Sequence, residues 1–285
     1  MFGAIDIGGT KLLAAVADDD LRPATPVRRP TPATDPVATL AAMLDEARQG
    51  QPLRGIAVAT PGPFDRERGA TLNPPNVPAA WLDLPLAEEL TARFACPVVV
   101  ENDANCAALA EALHGAAAGL AHVVYYTVST GIGCGVVHGG RLVVGRQDTE
   151  GGHQVLWPSW LEPAPPPCGC GGSGCLEGLA SGSAIERRFG VRAEALEDAG
   201  AWADVGRWLG LAVVNATALH DPDAVVFGGG VCNAWPKFWP SMSATIDAHL
   251  RLQGRPRVLR AGLGEDRNLW GALALLRPAA QSGSA

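Results

Sequence analysis

Four side chains between Glu150 and Glu177 have the types and spacing to hold a metal ion. His153, Cys168, Cys170 and Cys175 supply one imidazole and three thiols, ligands that Zn²⁺ takes in closed structural sites. Gly169, Gly171, Gly172 and Gly174 lie between the cysteines and allow the tight turns that would bring three sulfurs to one ion. Pro163 and Pro165 to Pro167 exclude a helix between the histidine and the cysteines. Disulfides are the weaker account, because nothing in the chain marks it as secreted. Gly169, Gly171 and Gly174 also satisfy GxGxxG, but no strand leads into that match. A cluster of merely buried thiols would need an apolar periodicity that this glycine-rich stretch lacks.

Other segments carry polar groups at the ends of apolar runs. Phe2 to Ile7 ends in Asp6-Ile7-Gly8-Gly9-Thr10-Lys11, and a second strand follows from Leu12. A glycine hairpin of this kind points backbone N–H groups outward and suits phosphate, with Asp6 placed to hold a hydrated Mg²⁺. The GxxxxGK[ST] loop is absent, and taken alone the turn reads as an ordinary hairpin. His122 to Val128 leads into Ser129-Thr130-Gly131-Ile132-Gly133, which repeats the strand, Thr/Gly turn, strand pattern. Two such hairpins suggest a duplicated fold with a ligand between its halves. Pro97 to Val100 delivers Glu101-Asn102-Asp103-Ala104-Asn105 to a strand end, with a helix from about Ala104 to Leu113. Asp103 there is a candidate both for helix N-cap and for general base. Asp223 to Phe227 ends in Gly228-Gly229-Gly230, which permits close approach of a flat ligand or another backbone.

The elements that must position these groups alternate between strand and helix, a mixed α/β architecture. Asp35 is expected to cap a helix through Ala47, and Ser181 or Ser183 another to about Phe189. Helices are expected over Leu84–Phe94, Ala199–Leu219, Pro236–Leu250 and Asn268–Leu276. Two lobes follow, 1–104 and 105–267, with the zinc loop 150–177 in the second and helix 268–276 expected to pack back on the first.

With 47% hydrophobic and 18% charged residues among 285, the chain can bury a substantial core. The net charge of −7 argues against nucleic acid or an anionic membrane as partner. No run of apolar residues is long enough for a membrane span, and Met1 to Lys11 lacks the pattern of a signal peptide. The expected location is the cytoplasm.

Taken in order, DIGGTK, ENDAN, STGIGCG, EGGH, CGCGGSGCLE and FGGGV resemble the motifs of the ROK family of sugar kinases, within the actin-like ATPase superfamily. The resemblance implies a two-lobed, duplicated ribonuclease H-like fold. It implies ATP with Mg²⁺ and a structural Zn²⁺ as cofactors, a hexose as acceptor, and a homodimer. By the family pattern, Asp103 would be the general base on the sugar hydroxyl. Asn102, Glu150, His153 and Glu177 would bind the sugar, with Gly62 and Asn76 at family sugar-loop positions. Asp6, Gly8, Gly9, Thr10, Lys11, Thr130 and Gly131 would meet the phosphates and Mg²⁺, and Gly228 and Gly229 the adenosine side. His153 would serve zinc through one ring nitrogen and sugar through the other. The stretch from His153 to Cys168 and the segment PPNVPAAW are both longer than the family pattern. The implied activity is phosphorylation of the 6-hydroxyl of an aldohexose, glucose first. N-acetylmannosamine, N-acetylglucosamine and fructose are alternative acceptors, and a sugar-sensing regulator is the non-enzyme alternative. Such regulators carry a DNA-binding helix-turn-helix, and a chain that opens on the first phosphate strand is not expected to have one.

Overall fold

Continuous apolar runs make the central strands. β4 (Ile56–Thr60) and β11 (Ala224–Gly228) are buried at every position, as strands covered on both faces must be. The computed structural model describes residues 1–74 and 77–277, so Asn76 lies outside the described residues. The chain divides into two compact units, Met1–Ala110 with the chain from Leu263 onward, and Glu111–Gly262.

The first unit contains β1 (Phe2–Ile7), β2 (Lys11–Ala17), β3 (Val27–Pro30), α1 (Pro36–Arg48), β4, the short hairpin β5 (Phe64–Asp65) and β6 (Ala70–Thr71), α2 (Leu86–Phe94) and β7 (Val98–Asn102). α3 (Asp103–Leu113) begins in it, and α8 (Arg267–Ala274) completes it. Its five-stranded sheet has the order β3-β2-β1-β4-β7. β1 to β3 form an antiparallel meander, whereas β1, β4 and β7 run parallel. Asp6 pairs with Ala59, and Ala59 with Glu101, so one row of the sheet carries the polar ends of two strands.

The second unit contains β8 (Val123–Val128), β9 (Ile132–His138), β10 (Arg141–Leu142), α4 (Leu176–Ala180), α5 (Gly182–Phe189), α6 (Ala199–His220), β11, α7 (Trp235–His249) and β12 (Arg257–Arg260). Its sheet has the order β10-β9-β8-β11-β12, again three antiparallel strands followed by parallel ones. The same topology is thus built twice, as the repeated hairpin pattern predicts. Trp202 and Phe238 lie fully buried in the core where α6 packs on α7.

Two helices start on side-chain caps, and one expected cap fails. Ser181 accepts from the Ala184 N–H at 3.1 Å, and Asp198 from the Ala201 N–H at 2.6 Å. Asp35 makes no such bond: it sits in the left-handed region at φ 51°, and Pro36 opens α1 instead. α4 is an element that the sequence pattern does not announce, since it follows directly on Cys175.

α8 packs on β1 and β4 and reaches α3 through a glycine. A Cβ at Gly271 would lie 1.8 Å from the Cys106 carbonyl oxygen, so only a hydrogen fits there. Gly271→Val should therefore cost at least about 2 kcal/mol by overpacking. Urea denaturation checks this, and an unchanged midpoint would mean that α8 is loosely seated.

Candidate active site and metal centre

β7 ends in a hydrogen-bonded polar cluster. The Glu101 carboxylate is buried and takes both guanidinium ends of Arg66, with Nη2 to Oε1 at 2.9 Å. Oε1 also accepts from the Asn102 N–H at 2.8 Å and from Asn105 Nδ2 at 2.9 Å. Charge-assisted bonds of this kind are what make a buried carboxylate tolerable. Asn102 Oδ1 accepts from the Ala104 N–H at 2.8 Å and the Asn105 N–H at 3.3 Å, the pattern of an N-cap. Asn102, not Asp103, is therefore the residue that closes the start of α3. Asp103 shares the Ala104 N–H at 2.8 Å and occupies the first helical position. Asn102 Nδ2 lies toward the Gly62 turn, 3.2 Å from where a Cβ on Gly62 would be.

Asp6 closes β1 beside the Gly8-Gly9-Thr10 turn. Asn268 of α8 donates from Nδ2 to Asp6 Oδ1 at 3.0 Å. The turn itself is closed by the Gly8 N–H to Lys11 O bond of 3.0 Å, and Thr31 Oγ1 donates to Gly8 O at 2.6 Å. Lys11 Nζ and Arg28 Nη1 both meet Glu265 Oε2, at 2.7 and 3.0 Å. A carboxylate beside such a turn fits the outer sphere of a hydrated Mg²⁺. Burial raises the Asp6 carboxyl to about 6, against the pull of Asn268, Lys11 and Arg267.

In the second unit the Ser129-Thr130-Gly131 turn joins β8 to β9. Gly182 N–H donates to Ser129 O at 2.7 Å and Ser183 N–H to Thr130 O at 3.2 Å. Glu177, on the first turn of α4, accepts at Oε2 from the Ile132 N–H at 2.9 Å. A Cβ at Gly131 would stand 2.6 Å from that oxygen, so glycine is required for the approach. Gly228 and Gly229 are filled from their own unit: added Cβ atoms would meet Tyr125 Oη and Val128 O, each at 2.3 Å. Gly230 has open space around it.

The metal cluster assembles as the spacing predicts. One ligand atom from each of His153, Cys168, Cys170 and Cys175 lies within 4.8 Å of all the others. A tetrahedral Zn²⁺ with bonds of about 2.3 Å to sulfur and 2.0–2.1 Å to nitrogen sets its ligands about 3.5–3.8 Å apart. Cys170 Sγ and Cys175 Sγ are 3.8 Å apart, and Cys168 Sγ is 3.5 Å from His153 Nδ1. The cluster thus suits zinc in donor type and spacing. His153 Nε2 faces the exposed Glu150, 3.9 Å from its Oε2. The Cys168 N–H to Gly172 O and Gly174 N–H to Pro166 O bonds, both 2.9 Å, fold the cysteine turns. The contacts of Asp6 with Asn268 and of Glu101 with Arg66 have no local sequence signal, since they link residues 262 and 35 apart.

Two sheets of one topology, each with a glycine turn after its first strand, and a Cys₃His centre define a duplicated α/β protein of actin-like type. The chain belongs to the ROK family, whose model matches residues 2–279. It is similar to a ROK hexokinase from Thermus thermophilus, at 37% identity and a TM-score of 0.87 over 95% of this chain and 96% of that one. A ROK family glucokinase from Streptomyces griseus, solved with glucose and AMPPNP, is 30% identical with a TM-score of 0.77, over 96% and 98%. A glucokinase of Thermotoga maritima is 32% identical over 96% of both chains. An N-acetyl-D-glucosamine kinase of Shigella boydii is 33% identical over 95% of this chain and 98% of its own. No helix among the described residues is long and apolar enough to cross a membrane.

Two measurements test this geometry. The purified protein should contain one zinc per chain, and Cys170→Ser should lower metal content and thermal stability together, because metal binding is linked to folding. Active, intact protein without zinc would exclude the metal. The second concerns Asp6, whose carboxyl is raised from an ordinary 3.8 to about 6. The native state then binds the proton more tightly than the unfolded chain, so stability is lost as pH rises from about 4 to 6. Asp6→Asn should be more stable than wild type above pH 6 by on the order of 2–3 kcal/mol, with the excess gone near pH 4. Parallel stability curves in urea would contradict the burial effect.

Proposed function

We propose that the protein is an ATP-dependent hexose kinase acting on the 6-hydroxyl of an aldohexose, with glucose as its foremost substrate. The observation that carries this reading is the division of labour at the start of α3. Asn102 holds the N-cap position, which puts Asp103 on the first helical residue, where its Oδ1 shares the Ala104 N–H. Full-length similarity to a hexokinase and to a glucokinase solved with glucose and AMPPNP supports the reaction class.

In this reading Asp103 accepts the hydroxyl proton as the new O–P bond forms and the bond to the departing ADP breaks. Asn102, through Nδ2, and the Gly62 turn hold the sugar, together with Asn76. Glu150, His153 and Glu177 bond its other hydroxyls. His153 would use Nδ1 for zinc and Nε2 for sugar, a split that fits the 3.5 Å contact of Nδ1 with Cys168 Sγ. Gly8, Gly9, Thr10 and Lys11 of the first unit and Thr130 and Gly131 of the second take phosphate. Gly228 and Gly229 shape the adenosine side. Mg²⁺, held through Asp6, would neutralise charge on the transferring phosphates. Zinc, if held by His153, Cys168, Cys170 and Cys175, would have four protein ligands, so its part would be to shape the sugar loop.

The N-acetyl-D-glucosamine kinase relative favours N-acetylhexosamines as a second acceptor class. ADP release measured across a panel of hexoses, N-acetylhexosamines and fructose separates these. Asp103→Asn should lower kcat about 10²–10⁴-fold while sugar still binds. A variant keeping more than about a tenth of wild-type turnover would remove Asp103 from the role of base.

A further inference from the structure

Glu177 does something that sugar binding does not require. Its Oε2 accepts the Ile132 N–H at 2.9 Å, one residue past the Ser129-Thr130-Gly131 turn. Its Oε1 lies 3.6 Å from Cys168 Sγ, a ligand atom of the metal cluster. Two further bonds run the same way, from the Gly182 and Ser183 N–H groups to the Ser129 and Thr130 carbonyls. Glu177 is the only one of these contacts made by a side chain, and its charged acceptor makes the strongest type of bond. The missing Cβ at Gly131 gives the carboxylate room, since an atom there would be 2.6 Å from Oε2. The turn, the first residue of β9 and the cysteine loop are thus joined through one carboxylate. That carboxylate sits two residues after Cys175, so the folded metal loop sets its place.

We propose that Glu177 is a positioning residue for the Ser129–Gly131 turn, tying the nucleotide's phosphate site to the metal loop. The inference rests on the kinase reading of that turn. It gives the metal loop an effect on the nucleotide as well as on the sugar. Oε2 serves the turn, which leaves Oε1 as the oxygen that a sugar hydroxyl would use. Loss of the carboxylate frees the Ile132 N–H and lets the turn relax away from the shape that cradles phosphate.

The test is calorimetry on the full chain with Mg²⁺-AMPPNP and with glucose, run separately, with zinc content measured on each sample. Glu177→Ala should weaken AMPPNP about tenfold or more, with one zinc per chain retained. Glu177→Gln keeps an oxygen that can accept the Ile132 N–H, so its nucleotide affinity should stay within about threefold of wild type. Wild-type nucleotide affinity in Glu177→Ala, with glucose binding alone lost, would overturn the proposal and leave the kinase reading intact. A Gln variant that loses zinc, glucose and nucleotide together with the Ala variant would overturn it too, since Glu177 would then be a staple of the metal loop only. Wild-type protein that binds no nucleotide would remove the kinase reading itself, and this inference with it.

Discussion

Three sulfurs and an imidazole nitrogen lie within 4.8 Å of one another, a donor set and spacing that suit Zn²⁺. Neutral thiols gain little from such crowding, whereas thiolates around Zn²⁺ gain the coordination energy that folds small metal sites. Much of the second unit's site hangs on this. The cysteine turns bring the four donor atoms together, α4 starts directly after Cys175, and Glu177 on its first turn reaches the backbone of β9. The Ser129–Gly131 turn is therefore linked to the Cys₃His cluster through Glu177.

The first unit builds its polar groups on strand ends and the start of α3. Its polar groups stand at the carboxyl ends of parallel strands, where an open α/β sheet leaves room for ligands. Glu101 is buried, yet each of its oxygens is bonded, to Arg66, Asn105 and a backbone N–H. That network fixes the backbone on which Asn102 and Asp103 stand. Asp6 is less well compensated: burial raises its carboxyl to about 6 despite a bond from Asn268. Keeping it ionised near neutral pH costs stability. Sites that need a charged group in a defined place commonly carry such a cost.

The fold was legible because its signals are periodic. Apolar runs that end at polar, proline or glycine turns mark β1, β4, β7, β8 and β11, and the repeated hairpin pattern discloses the duplication. The metal set was legible because one histidine and three cysteines rarely fall within a single short, glycine-rich stretch unless a metal ion gathers them. What stayed hidden depends on geometry beyond the local chain. A cap can fall on either of two neighbouring polar residues, and Asn102 takes the place that the pattern allows to Asp103. Asp35 fails as a cap because its backbone turns left-handed. α4 is missed because five residues following a glycine-cysteine run carry no helical period. Arg66 and Asn268 show no signal at all, since their partners meet them only in the folded sheet.

The two units differ in how the segment beyond the strand is ordered, and composition explains the difference. β7 runs straight into α3, whose alanine-rich face packs into a core, so Asn102 and Asp103 inherit a rigid base. The segment after β10 runs through prolines and glycines, with Val155, Trp160 and Leu161 exposed to solvent. Such a stretch buries too little apolar surface to offset its own ordering entropy. Backbone bonds such as Leu156 N–H to Gly174 O and Gly174 N–H to Pro166 O hold it in place, the Cys₃His cluster gathers its ends, and Glu177 joins it to Ile132 beside the turn. A cation held by His153 and the three cysteines would add a crosslink where the chain offers little apolar surface of its own.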